Sequence, residues 1–172
     1  MPPRPLPRYL VSIDLGRTTG FAHGLFSAVQ PAFGHWPFPV TDPLDPVGRR
    51  IAVFDNTLSR AFDEWCPSHV VAAEPVPARN MGEAIASFGM LGQLRAECWR
   101  RQIELLVQPE GTVRREMLGR GTGPTDVMKT LVLQWCAAQG LDVPNHHAGD
   151  SCVLWRWTRD ELTRQALPRA AA

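Results

Sequence analysis

The stretch YLVSIDLGRTTGFA, residues 9–22, decides the fold. It begins with a short apolar run containing β-branched residues, which predicts a buried strand that ends at Asp14, just before Gly16. The following segment, GFAHGLFS, predicts a second strand after a turn at Gly20. Two chemistries place a carboxylate at the tip of such a strand: a phosphate-binding turn, and a metal-dependent nuclease that holds its first carboxylate on a central strand. The rest of the sequence has to distinguish them.

The composition indicates one globular domain. A chain of 172 residues with 44% hydrophobic and 20% charged residues can bury a substantial core. No apolar run approaches the roughly 20 residues of a membrane span, so we predict no membrane association. The start, MPPRPLPR, lacks the apolar core of a secretion signal, and we expect residues 1–8 to form a flexible arm. The four cysteines show no CxxC spacing, which favours reduced thiols in a cytoplasm.

The order of predicted elements indicates an α/β fold. A weak third strand, FGHWPFPV, and a helix ending at Pro67 precede the strand HVVAAEP, a long helix, the strand IELLVQP and the closing helices. We therefore expect a mixed five-stranded sheet flanked by helices, antiparallel in its first half and parallel in its second. Thr125 is the predicted N-cap of one closing helix and Gly140 its stop. The domain should span residues 9–163, and residues 164–172 should form a disordered tail.

Three acids fall at comparable places in this order. Asp14 ends the first strand, Glu74 ends the strand after the first helix, and Asp150 opens the last helix. Any one of them would be ordinary as a turn former or a helix cap, but the joint placement favours convergence on one point. Converging carboxylates repel one another unless a cation holds them, and their hard oxygen ligands suit Mg²⁺ or Mn²⁺. Two such ions can clamp the attacking and leaving oxygens of a phosphodiester.

A basic segment lies within a chain of net charge +1. Residues 111–130 contain a loop, GRGTG, whose glycines would let the backbone approach a phosphate closely. A solvated helix face is the alternative reading for each arginine alone. The cationic side chains of this segment are Arg114, Arg115, Arg120 and Lys129.

Four motifs in order carry a family resemblance. LVSIDLGRTTGFA, VVAAEP and HHAGDSCVLW resemble the active-site motifs of RuvC-type Holliday junction resolvases, which belong to the RNase H-like superfamily. The segment from Pro109 to Gly140 resembles the stretch before the last motif in the phage and prophage branch. The resemblance covers residues 9–160.

The resemblance implies a homodimer that binds four-way DNA junctions in the cytoplasm of a bacterial or phage-infected cell and serves recombination and repair. Each subunit would nick one strand with metal-activated water, leaving a 5′-phosphate, with two Mg²⁺ or Mn²⁺ ions per site and no nucleotide cofactor. His147 stands where many members have aspartate, and it could bind the metal or donate a proton. His146 should point elsewhere on the helix. The implied catalytic and metal-binding residues are Asp14, Glu74, His147 and Asp150.

The candidate DNA contacts lie on several segments of the chain. Pro77 stands where well-known bacterial members of the family have an aromatic residue that helps to open the junction, and proline has no aromatic ring to stack on a base. Trp36, in a Pro-rich segment, is the tryptophan that we expect to be most exposed. The predicted DNA-binding residues are Arg17, Arg79, Asn80, Arg114, Arg115, Arg120 and Lys129.

The helix over residues 81–101 is the implied dimer interface. Small residues recur on it every three or four positions and would allow two helices to pack closely. Packing on the chain's own core is the alternative. These residues are Gly82, Ala86, Gly89 and Gly92.

Other functions stay open at this point. IDLGRTTG also resembles the phosphate turn of actin-like ATPases and sugar kinases, but those enzymes need a second lobe for which the chain is too short. The same three acids would serve an RNase H-like nuclease that cuts flaps, replication forks or RNA–DNA hybrids. A non-catalytic DNA-binding relative is a third class, against which the three intact acids argue.

Overall fold

The computed structural model describes residues 8–38, 45–76 and 80–166. The predicted arm, except Arg8, and residues 167–172 of the predicted tail lie outside these ranges, whereas residues 164–166 form the end of the last helix. In chain order the elements are β1 (Tyr9–Asp14), β2 (Thr18–Leu25), β3 (Ala32–Pro37), α1 (Pro46–Trp65), β4 (His69–Ala73), α2 (Met81–Arg100), β5 (Glu104–Gln108), α3 (Glu110–Leu118), α4 (Thr125–Ala138) and α5 (His146–Ala166).

The five strands form one mixed sheet in the order β3-β2-β1-β4-β5. β1 pairs antiparallel with β2 and parallel with β4, β2 pairs antiparallel with β3, and β4 pairs parallel with β5. This arrangement confirms the predicted α/β fold with its antiparallel and parallel halves. It also places β1, which ends at Asp14, at the centre of the sheet.

Side chains of β1 alternate between two hydrophobic cores. Leu10 packs into the cluster that includes Trp155 of α5, whereas Val11 and Ile13 pack into the cluster that includes Phe54 of α1. Successive strand residues point to opposite faces of a sheet. Asp14 therefore follows Leu10 onto the face that α5 covers.

Helix α5 is held against β1 by polar contacts as well as by burial. The Ser12 hydroxyl donates to the main-chain oxygen of Ser151 at 2.7 Å, and Trp155 Nε1 donates to the main-chain oxygen of Leu10 at 3.1 Å. Both Ser12 and Trp155 are fully buried. Because a buried donor without an acceptor is costly, these bonds fix α5 in one position along the strand.

The ends of α4 differ partly from the prediction. Thr125 is not the N-cap: it is the first helical residue, and Pro124 occupies the capping position without a side-chain hydrogen bond. The main chain of Pro124 is extended, with φ −54° and ψ 138°, so the helix begins directly after it. Gly140 has a φ of 73° just beyond the helix, which agrees with its predicted role as a stop.

No helix in the described ranges is both long enough and apolar enough to cross a membrane. Cys98, Cys136 and Cys152 are free and buried, and Cys66 is free and exposed.

Candidate active site

A cavity of about 270 Å³ opens beside the end of β1. Side chains from the β1 end, α3, α4 and the first turns of α5 line it. The charged and imidazole groups among them are Asp14, Glu110, Arg114, Lys129, His146, His147 and Asp150.

The side chains of Asp14 and His147 are neighbours in the wall of this cavity. His147 Nδ1 lies 3.4 Å from Asp14 Oδ2. Their approach depends on Gly20, which pairs with Asp14 in the β1–β2 ladder. A Cβ atom on Gly20 would overlap the main-chain carbonyl of His147. Because Gly20 has no side chain, the first turn of α5 can pack directly against β2 and reach the end of β1.

Asp150 lies one helical turn after His147 and is nearly buried. Its Oδ1 accepts hydrogen bonds from Arg114 Nε at 3.1 Å and from an Arg114 terminal nitrogen at 2.9 Å. Burial, and then the charge of Asp14, raise the pKa of Asp150 to about 8 in spite of Arg114. Asp14 therefore lies close enough to Asp150 for its charge to oppose the ionisation of Asp150.

Glu110 is a site residue that the sequence reasoning missed. It is the first residue of α3, and its Oε1 lies 2.6 Å from a terminal nitrogen of Arg114. Burial, and then the charge of Asp14, raise the pKa of Glu110 to about 7. A signal for it exists in the sequence, since Glu110 follows the β5 strand just as Glu74 follows the β4 strand, and parallel strands end at one edge of the sheet.

Glu74 is exposed and does not line the cavity. The ladder pairs Ile13 with Ala72, so Ala73 is the residue level with Asp14. Ala73 packs on the α5 side and Ala72 on the α1 and α2 side, and alternation sends Glu74 to the same side as Ala72. Its role as a metal ligand stays a prediction.

His146 also lines the cavity, although we expected it to point elsewhere. Its ring centroid lies 3.9 Å from that of His147. Burial lowers the pKa of His146 to about 4, and the charges of His147 and Lys129 act in the same direction. His146 is therefore neutral near pH 7.

The donor chemistry of this site fits a hard divalent cation. Asp14 and Asp150 supply carboxylate oxygens, His147 supplies an imidazole nitrogen, and the mutual repulsion of the acids is what a cation would relieve. Within residues 8–38, 45–76 and 80–166, however, no three His, Cys, Asp or Glu side chains are already grouped to hold a metal. The positive charge beside Asp150 is instead the guanidinium of Arg114.

The predicted DNA-binding residues have different surroundings. Lys129 lines the cavity, and Arg114 lies within it and not on an open helix face. Arg17 is exposed and pairs with Glu83 at 3.2 Å. Arg115 is exposed on α3, and the exposed Arg120 donates from Nε to the main-chain oxygen of Thr122 at 2.8 Å.

The remaining predicted contacts follow β4. Asn80 caps α2, because its side chain accepts from the main-chain nitrogen of Gly82 at 2.8 Å. Arg79 and Pro77 lie outside the described residues.

The glycine-rich loop over residues 119–124 packs on the start of α3. A Cβ atom on Gly121 would overlap the main-chain oxygen of Gly111. The loop is therefore tied to the same helical turn that carries Glu110. Its predicted approach to DNA stays a prediction.

Trp36 is not the most exposed tryptophan, which corrects the prediction. Its ring stacks with that of Trp65, with centroids 5.9 Å apart, and Trp65 also stacks on His23. Trp99 on α2 is 81% exposed. The Pro-rich surroundings of Trp36 concealed its packing on the end of α1.

The small residues of α2 mainly serve contacts within the chain. Ala86 is buried, and a Cβ atom on Gly89 would overlap the side chain of Ile51 in α1. This is close packing against the chain's own α1, whereas Gly92 has no neighbour within 4 Å. A different set of α2 side chains forms its exposed apolar face: Met81, Ile85, Phe88 and Trp99.

Neither a protein-family model nor a curated protein matches the chain. Solved structures do. Thermus thermophilus RuvC in complex with a Holliday junction substrate is 14% identical, with a TM-score of 0.66, and the match covers 94% of this chain and 99% of that chain. A second Thermus thermophilus RuvC structure is 16% identical, with a TM-score of 0.63 and coverage of 94% and 99%.

The yeast mitochondrial Holliday junction resolvase is 13% identical, with a TM-score of 0.57 and coverage of 95% of this chain and 85% of that chain. The mixed sheet and its flanking helices are thus an α/β fold of the RNase H-like class. The fold is the one found in these Holliday junction resolvases, as the family resemblance implies. Membership of the phage and prophage branch stays a prediction.

Proposed function

We propose that this protein is a structure-selective DNA endonuclease that resolves Holliday junctions or other branched DNA by metal-dependent phosphodiester hydrolysis. One observation carries the proposal: on a RuvC-like fold, Asp14, His147 and Asp150 line one cavity at the end of the central strand. Lys129 lines the same cavity and supplies a cation for a phosphate.

The proposed metal ligands are Asp14, His147, Asp150 and Glu74. The first three already line the cavity, whereas Glu74 follows β4 beside the end of β1 and would bind an ion only after its side chain turns toward the cavity. Bound Mg²⁺ or Mn²⁺ supplies Lewis acidity toward the scissile phosphate and acidifies a nucleophilic water. The carboxylates would hold the ions, and His147 would bind through a neutral nitrogen or donate a proton to the leaving oxygen. Attack of water on phosphorus would break the bond to the 3′-oxygen, which takes up a proton, and so leave a 5′-phosphate and a 3′-hydroxyl end.

The proposed DNA surface surrounds the cavity. One Thermus thermophilus RuvC neighbour is described in complex with a Holliday junction substrate. On this chain the exposed Arg17, Arg115 and Arg120 are available to contact backbone phosphates, which position DNA without reading its sequence. Arg79 and Asn80 belong to the same proposed surface.

The proposed active form is a homodimer. The exposed apolar side chains of α2 recur at Met81, Ile85, Phe88 and Trp99, with the open Gly92 between them. This spacing follows the three- and four-residue repeat of a helix that packs on another helix. We assign the face to a second copy of this chain, since two active sites are needed to cut two strands of a junction.

A cleavage assay tests the proposal. Four-way, flap and linear DNA of equal length are incubated with the protein in Mg²⁺ and in Mn²⁺. We expect cleavage of branched DNA, and loss of it in Asp14→Asn. Asp126→Asn is the matched control, because Asp126 is exposed at the start of α4 and does not line the cavity.

Equal cutting of linear and branched DNA would remove the structure-selective assignment. Undiminished cutting by Asp14→Asn would remove the active-site assignment.

A further inference from the structure

The guanidinium of Arg114 spans two carboxylates on different helices. One terminal nitrogen lies 2.6 Å from Glu110 Oε1 and 2.9 Å from Asp150 Oδ1, and Nε lies 3.1 Å from the same Asp150 oxygen. The side chains of Arg114 and Asp150 are 18% and 7% exposed. Two N–H donors therefore occupy the Asp150 oxygen, in a place that water screens poorly.

A divalent cation on Asp150 competes with these donors. Mg²⁺ and Mn²⁺ bind carboxylate oxygens directly at about 2 Å, so a cation and a guanidinium do not share one oxygen lone pair. Two neighbouring positive charges also repel each other strongly at a nearly buried site. A cation on Asp150 Oδ1 therefore requires the Arg114 guanidinium to move away, and a cation on Oδ2 of the same carboxylate is still repelled by the guanidinium charge beside it.

We propose that Arg114 is a built-in counter-ion that competes with the divalent metal for Asp150, and that Glu110 is the positioning residue that keeps Arg114 paired when the metal binds. This inference rests on the proposed function, because it takes a divalent metal as the cofactor of the site. It assigns a role to Glu110 and gives Arg114 a role other than contact with DNA.

The placement of Glu110 suits this role. Glu110 and Arg114 are four residues apart on α3, so they remain neighbours when the contact with Asp150 on α5 breaks. A partly buried guanidinium that lost Asp150 without a second carboxylate would be an uncompensated charge, which is strongly destabilising. Glu110 removes that penalty and so favours exchange of Arg114 for a metal ion at Asp150.

Mn²⁺ binding to the full chain without DNA tests the inference, by calorimetry or by electron paramagnetic resonance of free Mn²⁺. We expect Arg114→Gln to bind Mn²⁺ on the order of tenfold more tightly than the wild type, because the competitor is gone. We expect Glu110→Gln alone to bind Mn²⁺ more weakly than the wild type. When Arg114→Gln is already present, adding Glu110→Gln should not change the Mn²⁺ affinity further. Arg164→Gln removes the same charge from an exposed position near the end of α5, away from the cavity, and should leave the Mn²⁺ affinity near that of the wild type.

Any other outcome of these Mn²⁺ measurements contradicts either the competition by Arg114 or the positioning role of Glu110. An unchanged or weaker Mn²⁺ affinity in Arg114→Gln removes the competition. An equal loss from Glu110→Gln in both backgrounds makes Glu110 a ligand or a simple charge and not a positioning residue for Arg114. Circular dichroism establishes that each variant folds, and Arg114→Met repeats the test if Arg114→Gln does not.

The proposed function fails separately. If neither the wild type nor Arg114→Gln binds Mn²⁺, the metal-dependent function and this inference both fall. If the wild type binds Mn²⁺ and cuts branched DNA but Arg114→Gln has wild-type affinity, only the inference falls. Absence of cleavage with the expected Mn²⁺ affinities removes the nuclease assignment and leaves the exchange at Asp150 standing.

Discussion

Asp150 is nearly buried and lies close to another acid, so the stability of the metal-free protein should depend on pH. Its pKa is raised to about 8 by burial and by Asp14, and that of Glu110 to about 7 by the same causes. Unfolded carboxyl groups titrate near pH 4, so between about pH 4 and pH 8 the folded state binds more protons than the unfolded state. The free energy of unfolding must therefore decrease as the pH rises through this window.

His146 limits the useful part of this window. Its pKa is lowered to about 4, so the free energy of unfolding increases with pH between about 4 and 6.5 through this group. Of the three groups Asp150, Glu110 and His146, only the two carboxyls contribute to the pH dependence above about pH 6.5. In EDTA, we expect the free energy of unfolding to decrease by about 1–2 kcal/mol between about pH 6.5 and 8.5. Urea denaturation measures it.

The matched variant for this pH effect is Asp150→Asn. It should reduce the pH dependence over the same interval, since an amide does not titrate, and should leave the part that is due to Glu110. Saturating Mn²⁺ should flatten the wild-type profile as well, because a cation favours the ionised carboxylates. A wild-type profile without a slope would contradict the placement of Asp150 beside Asp14.

Gly20 is a second residue on which the site depends. Because a Cβ atom there would overlap the His147 carbonyl, Gly20→Ala must move the first turn of α5 away from Asp14. We expect this change to lower the free energy of unfolding by about 1–3 kcal/mol, the usual cost of overpacking, and to weaken Mn²⁺ binding.

Gly24→Ala is the control for Gly20→Ala. Gly24 lies on the same strand and the same face as Gly20. A Cβ atom on Gly24 would lie 3.6 Å from the Cα atom of Pro31, which is an ordinary van der Waals contact. Its free energy of unfolding should stay within about 0.5 kcal/mol of the wild type. Equal losses in the two variants would mean that the strand, and not the approach of α5, sets the cost.

The sequence predicts most of the site residues, and its failures have definable causes. Asp14 is predictable because it ends a strongly patterned strand, Asp150 because it lies at the opening of the last helix, and His147 only through the family resemblance. Glu74 was placed at the right strand end, but a single step along a strand changes the face, and alternation alone does not say which acid will be level with Asp14. Glu110 was missed because its importance depends on Arg114 and Asp150, which meet it only in the folded protein.

At the scale of the elements, an ion pair joins α1 to α2. Arg50 of α1 has a side chain only 3% exposed, and its two terminal nitrogens donate to both carboxylate oxygens of Glu83 in α2 at 2.6 and 3.1 Å. The Arg50 pairing lowers the pKa of Glu83. Since Arg17 also pairs with Glu83, the start of α2 is tied to the turn that follows Asp14.

Removing the Glu83 charge should therefore be costly. Glu83→Gln leaves the buried Arg50 guanidinium without its carboxylate, and we expect the free energy of unfolding to fall by about 2–4 kcal/mol. Asp160→Asn removes the more exposed contacts with Arg156 and Arg159 on α5 and should cost less than about 1 kcal/mol. Chemical denaturation of the two variants compares them. Similar small losses would show that the α1–α2 contact is held by apolar packing alone.

The elements also show where sequence patterns reach their limit. The order and direction of the strands were predictable because each strand has an apolar run bounded by turn residues. The small residues of α2 were read as a surface for another helix, and that helix is mainly α1 of the same chain. A stripe of glycine and alanine predicts close packing but does not identify the helix that packs there. The ion pair of the buried Arg50 with Glu83 joins α1 to α2, and sequence periodicity does not predict such a pair.

At the scale of the whole molecule, the sheet separates two surfaces. One face carries α5 and the cavity with Asp14, and the other carries α1 and α2. The outward side of α2 leaves Phe88 and Trp99 exposed, and large apolar side chains grouped on one helix face mark an interaction surface. A dimer through α2 would leave both cavities open to DNA, since the interface lies on the sheet face that α5 does not cover.

This arrangement predicts that a charge on α2 separates assembly from the chemistry of the site. Phe88→Glu should convert a dimer into a monomer at micromolar concentration, because a carboxylate in an apolar interface must be desolvated without a partner. Leu133→Glu, which changes a similarly exposed apolar side chain on α4, should leave the dimer intact. Light scattering after size exclusion gives the mass of each variant.

Mn²⁺ affinity distinguishes loss of assembly from loss of the fold: Phe88→Glu should retain the wild-type value, because no α2 side chain lines the cavity in the described part of the chain. A four-way junction labelled on two strands should then receive uncoordinated single nicks from the monomer and paired nicks from the wild type. A wild-type mass of one chain would contradict the assignment of this face to a second copy. Paired nicking by a monomeric Phe88→Glu variant would show that the two cuts do not need a dimer.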